Sequence, residues 1–190
     1  MLDDLPLDPA IHDRQGFECG VPALDEYLWR FAEQHRRRGI SSIYVLTESA
    51  RPERVLGYYT LSAAEVDGQR LTEAERKKLP RYPVPCFRMG RLACRTDRRG
   101  QGFGKLLLGC AIDRCLKARQ QIAAYALLVD AKDDVARAFY RSRGYHELER
   151  LANSTAAAKT RCGCRSCCGP TAAPAWWRSR PEPHPARHPQ

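Results

Sequence analysis

The stretch from Arg99 to Lys105, Arg-Gly-Gln-Gly-Phe-Gly-Lys, has residue types and a spacing suited to binding an anion. It lies between a strand-like run and an amphipathic, helix-like run. Glycines let the main chain approach a ligand closely, and the free N–H groups at the start of a helix attract negative charge. The pattern therefore predicts a pyrophosphate site built from main chain. The alternative is a tight strand-to-helix turn that binds nothing.

Two other phosphate-binding motifs are excluded by the residues that follow the glycines. A Walker loop requires Ser or Thr after its lysine, but Leu106 follows Lys105. The dinucleotide fingerprint requires a third glycine three residues after Gly104, where Leu107 stands. A nucleotide site of either type is therefore not predicted.

The elements around this stretch follow from apolar periodicity. Helical spacing and capping signals predict helices over residues 22–38, 72–79, 102–119 and 135–143. Strand-like runs, rich in β-branched and aromatic residues or nearly all apolar, occupy residues 41–47, 55–66, 86–94, 124–130 and 145–151. This order predicts an α/β (α+β) fold, a mixed central β-sheet flanked by helices.

Length and charge bound the function without fixing it. A chain of 190 residues, 43% of them hydrophobic, fits one domain. Residues 153–190 contain six of the 32 Lys and Arg residues and one of the 22 Asp and Glu residues, so half of the net charge of +10 lies there. The front part is basic but not extreme, and a polyanionic partner is allowed rather than required.

The cysteines and the start of the chain favour the cytoplasm. The first residues have neither a basic flank nor an apolar signal core, and no apolar run approaches the roughly 20 residues that span a bilayer. A membrane location is therefore not expected. Five of the nine cysteines lie in apolar patterns, where a reduced thiol packs as a small hydrophobe; these are Cys19, Cys86, Cys94, Cys110 and Cys115.

Arg99-x-x-Gly102-x-Gly104 resembles the acetyl-CoA pyrophosphate loop of the GNAT superfamily of N-acetyltransferases. Further segments match in the family's order over about residues 15 to 148, most closely the TacT/AtaT-type acetyltransferase toxins of type II toxin–antitoxin modules. These segments are Phe17–Gly20 with Leu24-Asp25, Gly57–Ser62, Arg81–Pro85, Gly90–Ala93, Leu128–Ala131, and Phe139-Tyr140 ahead of Arg143-Gly-Tyr145.

The resemblance implies the GNAT fold, acetyl-CoA as the donor and no metal. It places main-chain groups at the end of a strand beside the pantetheine arm and thioester, and the glycine loop on the pyrophosphate. The implied cofactor-binding residues are Leu92, Ala93, Cys94, Arg99, Gly100, Gln101, Gly102, Phe103, Gly104 and Lys105. It also implies that Tyr140 donates a proton to the departing CoA thiolate, which suits a phenol that titrates near 10. Packing of Tyr140 in a helix core is the alternative.

The resemblance further implies that the acceptor is the α-amino group of aminoacyl-tRNA. No general base is evident, since Glu65 and Asp130 are more typical of structural or surface acids. An α-amino group titrates near 7.7–8.0 and needs little help to attack, whereas a lysine near 10.4 needs a strong base.

Several arginines are candidates for contact with tRNA phosphates. They are Arg81, Arg88, Arg91 and Arg95, with helical clusters at Arg36–Arg38 and Arg76–Lys78 as weaker candidates. Arg88 and Arg91 fall on opposite faces of an ideal strand, so they share a surface only if the strand bulges.

The implied partners are a ribbon-helix-helix antitoxin and a second copy of the chain, as a homodimer. Two rival functions stay open. One is a GNAT enzyme that acetylates another amine, such as a protein N-terminus or a small polyamine, and the other is an inactive remnant that binds tRNA or antitoxin.

The end of the chain departs from the family. We expect the acetyltransferase domain to occupy residues 1–152, and residues 153–190 to be a disordered tail, rich in Pro, Cys and Arg, in which the final strand of the sheet is missing. Four of the cysteines cluster in this tail, but their spacing matches no standard zinc finger.

Overall fold

A computed structural model describes residues 1–148 and 159–162. Seven strands form one mixed sheet in the order β1-β2-β3-β4-β5-β7-β6, and only β4 and β5 run parallel. The strands are β1 (Leu2–Pro6), β2 (Ser42–Glu48), β3 (Gly57–Val66), β4 (Val84–Cys94), β5 (Leu127–Asp130), β6 (Tyr145–Glu147) and β7 (Lys159–Cys162). The helices are α1 (Pro22–Glu26), α2 (Ala32–Arg37), α3 (Glu73–Arg76), α4 (Phe103–Arg119) and α5 (Asp134–Arg141). The predicted α/β architecture is confirmed.

Helices cover both faces of the sheet. On one face, Leu107, Leu108 and Ala111 of α4 pack with Tyr59 and Met89 in the largest apolar cluster. The first helices cover the other face through a second cluster. There, a π-helical turn at Tyr27–Phe31 joins α1 to α2, so the predicted helix over 22–38 forms with an irregular middle. No helix in the described residues is long and apolar enough to cross a membrane.

A β-bulge at Gly90 decides which side chains of β4 lie on each face of the sheet. Thr60 of β3 lies opposite Arg91, and the next residue, Leu61, lies opposite Met89, so Gly90 is an extra residue in β4. An extra residue reverses the alternation of side chains beyond it. Phe87 and Met89 before the bulge therefore share the α4 face with Leu92 and Cys94 after it. By the same alternation, Arg88 and Arg91 lie on one face, the arrangement that the sequence allowed only with a bulge.

Two strands were not predicted. The acidic residues of β1 gave it no strand-like pattern. The strand forms because Arg114 of α4 donates to the Asp4 carboxylate at 2.6 Å and the Tyr59 hydroxyl donates to it at 2.9 Å. The prediction that the final strand is missing is wrong over Lys159–Cys162, because β7 lies between β5 and β6 and pairs with both. The four residues of β7 show little apolar alternation. The strand forms because the facing edges of β5 and β6 have main-chain hydrogen-bonding groups for it to pair with.

The proposed domain boundary after residue 152 lies outside the described residues. So does the cysteine cluster beyond Cys162.

Candidate active site

The loop between β4 and α4 leaves a row of main-chain donors available. The N–H of Arg99 donates to the Thr96 carbonyl, and that of Leu106 donates to the Gly102 carbonyl. Between them, the N–H groups of residues 100–105 have no main-chain or side-chain acceptor within the described part of the chain. Six consecutive free donors at the start of a 17-residue helix have the arrangement that favours an anion.

Positive φ angles hold this row of donors open. Gly100 has φ of +73° and Gly102, which caps α4, has φ of +84°. A Cβ atom at either position would meet nothing within 4 Å. Glycine is therefore favoured there by backbone conformation and not by crowding inside the protein.

The side chains of two predicted ligand-binding arginines are used to hold a neighbouring loop. Arg99 donates from Nη2 to the Cys19 carbonyl, and Arg95 donates from Nη1 to the Gly16 carbonyl at 2.6 Å. Thr96 adds a main-chain bond of 3.0 Å to the Glu18 carbonyl. We call residues Gly16–Gly20 the anchored loop. These contacts fix the start of the glycine loop, so the geometry gives Arg95 and Arg99 a positioning role.

The other residues of the glycine loop differ in their freedom. The Gln101 side chain donates to the Asp97 carbonyl at 2.9 Å, and Phe103 lies beneath the Arg98 guanidinium. Lys105 is exposed. Lys105 is thus the side chain of the loop that is placed to meet an anion.

An open edge of β4 lies beside this loop. β5 pairs with β4 only over Phe87–Met89, so no strand of the described residues lies along that side of β4 beyond the bulge. The N–H of Arg95 donates towards β3, to the Leu56 carbonyl at 2.9 Å. Because main-chain groups alternate along a strand, those of Ala93 also face β3, whereas those of Leu92 and Cys94 face the opening. Of the three predicted residues, Leu92 and Cys94 therefore have main-chain groups open to a ligand, whereas those of Ala93 are turned towards β3.

Tyr140 lies in the same region, at the end of α5. Its side chain is only 6% exposed and packs edge-on against Phe139, with ring centroids 5.2 Å apart. Phe139 in turn lies against the start of α4, 3.5 Å from the position of a Cβ on Gly104. Burial and the nearby charge of Asp130 raise the pKa of Tyr140 to about 12. The phenol is therefore protonated throughout the neutral range.

The two carboxylates considered as bases are not placed to act as one. Asp130 forms an ion pair with Arg88, whose Nε lies 2.8 Å from its Oδ2. Glu65 is exposed on β3. Burial raises the pKa of the Cys94 thiol, which disfavours its thiolate form. Among the described residues, no group of three or more His, Cys, Asp and Glu side chains is arranged to hold a metal.

The four arginines predicted to meet RNA are in different environments. Arg88 is paired with Asp130 and Arg95 with the anchored loop and Asp97. The Arg91 guanidinium lies 3.6 Å above the centre of the Tyr27 ring. Arg81 is exposed and makes no ion pair within residues 1–148 and 159–162. The structure does not bring the four into one free basic patch.

Sequence reasoning missed the anchored loop and its buried carboxylate. Asp25, 5% exposed, accepts from the Cys19 N–H at 2.8 Å, which holds the loop from the helix side. The sequence signal for this buried carboxylate was an acidic residue next to the apolar face of a helix, at Leu24-Asp25. Burial and this carboxylate raise the pKa of Cys19 to about 12.

Donors at the glycine loop and an open strand edge beside it fit a diphosphate with an extended amide-bearing arm, as in acetyl-CoA. Residues 41–147 match the acetyltransferase (GNAT) domain. The chain is 38% identical over 128 residues to the tRNA-acetylating toxin of Mycobacterium tuberculosis (strain ATCC 25618 / H37Rv), covering 67% of this chain and 75% of that protein. It is 27% identical over 126 residues to the probable toxin TacT of Sinorhizobium fredii (strain NBRC 101917 / NGR234), covering 66% and 69%.

Solved structures give the same likeness. AtaT complexed with acetyl-methionyl-tRNAfMet superposes with a TM-score of 0.76 at 29% identity, covering 84% of this chain and 94% of that one. AtaTR bound with acetyl-CoA gives a TM-score of 0.70 at 30% identity, covering 84% and 92%. The GNAT fold uses acetyl-CoA as its acetyl donor. This chain is an acetyltransferase that belongs to the GNAT family.

Proposed function

We propose that this chain is a toxin that transfers the acetyl group of acetyl-CoA to the α-amino group of aminoacyl-tRNA and thereby inhibits translation. The observation that carries the proposal is the row of free N–H groups at residues 100–105 beside the open edge of β4. The tRNA-acetylating relative and the AtaT complex with acetyl-methionyl-tRNAfMet support the choice of acceptor. We assign the activity to the acetyltransferase domain expected over residues 1–152, together with β7, which pairs with β5 and β6 of its sheet.

Acetyl-CoA binds along a line from α4 to β4. The diphosphate accepts hydrogen bonds from the main chain of residues 100–105, and Lys105 adds a positive charge in solvent. The pantetheine amides then pair with the outward groups of Leu92 and Cys94, as an added strand does at a sheet edge. An N–H on this edge also stabilises the oxyanion that forms when the thioester carbonyl is attacked.

The transfer step forms a C–N bond and breaks the C–S bond. A neutral amine attacks the thioester carbon, and the tetrahedral intermediate then expels the thiolate. Tyr140 gives its proton to that sulfur and regains one from the ammonium group, so the proton of the amine ends on CoA. The raised pKa keeps Tyr140 protonated until the thiolate leaves, and because it also makes the phenol a weaker acid, the transfer depends on the proton that the ammonium group returns.

The lack of a well-placed base favours an α-amino acceptor. Of the two carboxylates considered as bases, Asp130 is held by Arg88 and Glu65 is exposed on β3. An α-amino group is partly neutral at physiological pH, and a lysine side chain is not. A protein N-terminus meets the same requirement, so the RNA must be tested directly.

We propose a ribbon-helix-helix antitoxin and a second copy of the chain as partners. A structure of AtaT bound to the C-terminus of the antitoxin AtaR superposes with a TM-score of 0.68 at 28% identity, which supports the antitoxin. The homodimer rests on the family resemblance.

The proposal is tested by incubating the protein with labelled acetyl-CoA and a pool of charged tRNA, with free peptides as the acceptor in a parallel reaction. We expect label in one or more aminoacyl-tRNAs, and a fall in kcat of about 10²- to 10⁴-fold in Tyr140→Phe. Val135→Ala, which truncates an exposed residue of the same helix, serves as the control. Label in free peptides but in no tRNA would point to another amine, and tRNA binding without any transfer would indicate an inactive remnant.

A further inference from the structure

Trp29 is an exposed aromatic side chain held in a fixed position. It lies in the π-helical turn between α1 and α2 and is 41% exposed. Its indole N–H donates to the Phe17 carbonyl at 3.1 Å. Trp29 belongs to none of the three apolar clusters of the described residues. A large ring that is oriented but not covered is suited to stacking against a flat ligand.

The surface on one side of the indole is a cavity of about 420 Å³ with a basic lining. Four arginines and one carboxylate carry its charge: Arg14, Arg30, Arg37, Arg38 and Glu33. Arg30 pairs with Glu26 in an exposed i,i+4 contact that contributes little stability. Arg37 shares Glu33, whose side chain is 14% exposed, with Arg36. Arg14 and Arg38 form no ion pair within the described residues. The lining thus has a net positive charge that can bind phosphate.

The cavity is connected to the active site through the anchored loop. Trp29 binds the Phe17 carbonyl, and the two following carbonyls, of Glu18 and Cys19, accept from Thr96 and Arg99 at the start of the glycine loop. A ligand stacked on Trp29 therefore lies on the element that supports the cofactor loop. This position suits the acceptor substrate.

We infer that Trp29 and the surrounding arginines bind a single-stranded nucleotide of the tRNA, with its base stacked on the indole and its phosphates held by Arg14 and Arg38. The inference rests on the proposed function. Recognition of unpaired nucleotides combines aromatic stacking with positive charge along the backbone, and both are present here. The row of cations continues along α2 to Arg38, which matches a phosphodiester chain rather than one terminal diphosphate.

The test compares Trp29→Ala, Trp29→Phe and Phe31→Ala by measuring KM for charged tRNA and for acetyl-CoA. Phe31 is a matched control because it lies in the same turn, is equally exposed and does not line the cavity. Loss of one stacked base raises KM for tRNA by about tenfold in Trp29→Ala. Trp29→Phe keeps most of the affinity, because a phenyl ring stacks although it cannot donate to Phe17. Phe31→Ala keeps both KM values.

Two results overturn the inference. One is an unchanged KM for tRNA in Trp29→Ala. The other is a loss confined to acetyl-CoA, which would place the nucleotide of the cofactor on the indole. Equal losses in Trp29→Ala and Trp29→Phe, accompanied by lower melting temperatures, would also reject stacking in favour of the hydrogen bond.

Filter binding of uncharged tRNA separates this inference from the proposed function. If wild type acetylates no tRNA, the proposed function fails, but Trp29→Ala should still weaken binding while Phe31→Ala does not. Arg38→Ala should reduce the slope of log Kd against log salt by about 0.7, the value for one contact to a single-stranded phosphate. An unchanged slope rejects the phosphate contact.

Discussion

Gly102→Ala should damage the cofactor site through the backbone alone. Gly102 caps α4 with φ of +84° and ψ of −1°, and the space around its missing Cβ is empty within 4 Å. An L-residue with a side chain pays about 1–2 kcal/mol to hold this left-handed conformation. No collision within the protein adds to that cost. The variant either keeps the conformation with lower stability or relaxes and turns the N–H groups of α4 away.

The expected effects follow from that energy. If the loop relaxes, KM for acetyl-CoA rises about 5- to 30-fold, since each 1.36 kcal/mol corresponds to a factor of ten. If it stays in place, the melting temperature falls by about 2 to 8 °C. Steady-state kinetics with varied acetyl-CoA and a thermal melt distinguish the two results. Both quantities are measured on the same purified variant.

Gly104→Ala is the matched control. Gly104 lies two residues further on in α4, its φ is negative, and an added Cβ would meet Phe139 at 3.5 Å, an ordinary contact. Alanine is favoured over glycine in a helix by about 0.5–1 kcal/mol. The melting temperature should therefore hold or rise. Equal behaviour of the two variants, or an unaffected Gly102→Ala, would show that the positive φ of Gly102 does not shape the site.

Three further predictions concern stability, reactivity and pH. Arg114→Ala removes the 2.6 Å contact to Asp4 that connects β1 to α4. It should lower the free energy of unfolding, measured by urea denaturation, by about 1–3 kcal/mol. Lys117→Ala, which removes an ion pair on the surface of α4, should change that free energy little. Cys19, whose pKa is raised to about 12, should resist alkylation at pH 8 in the folded protein and react after unfolding, as peptide mapping will show. The rate of transfer to charged tRNA should rise as the acceptor amine loses its proton near pH 7.7–8.0. It should not fall by about pH 9, because the Tyr140 proton is lost only near pH 12. A fall in rate below pH 9 would contradict the role of Tyr140 as the proton donor.

Local patterns predicted most of the sheet and helices because those elements bury strongly apolar faces. The helix at 102–119 and the strand at 86–94 are examples, and each differs from the observed element by one or two residues at its ends. β1 and β7 could not be predicted from their own residues. The first depends on contacts of Asp4 with a helix 110 positions away, and the second on vacant edges of two other strands.

In the candidate site, too, features set by local conformation could be predicted and features set by distant contacts could not. The glycine spacing predicted a loop whose N–H groups are free, a property of local conformation. The sequence could not show that Arg99 and Arg95 turn towards carbonyls about 80 residues earlier in the chain. Nor could it show which groups of β4 face outward, because a single extra residue at Gly90 reverses that alternation.

The most direct test is to identify the acetylated atom. After reaction with acetyl-CoA and charged tRNA, the RNA is digested with nuclease and the 3′-terminal adenosine is analysed by mass spectrometry. We expect N-acetylaminoacyl-adenosine with wild type and its near absence with Tyr140→Phe. Unmodified aminoacyl-adenosine for every amino acid, from a protein that binds acetyl-CoA, would contradict the proposed acceptor.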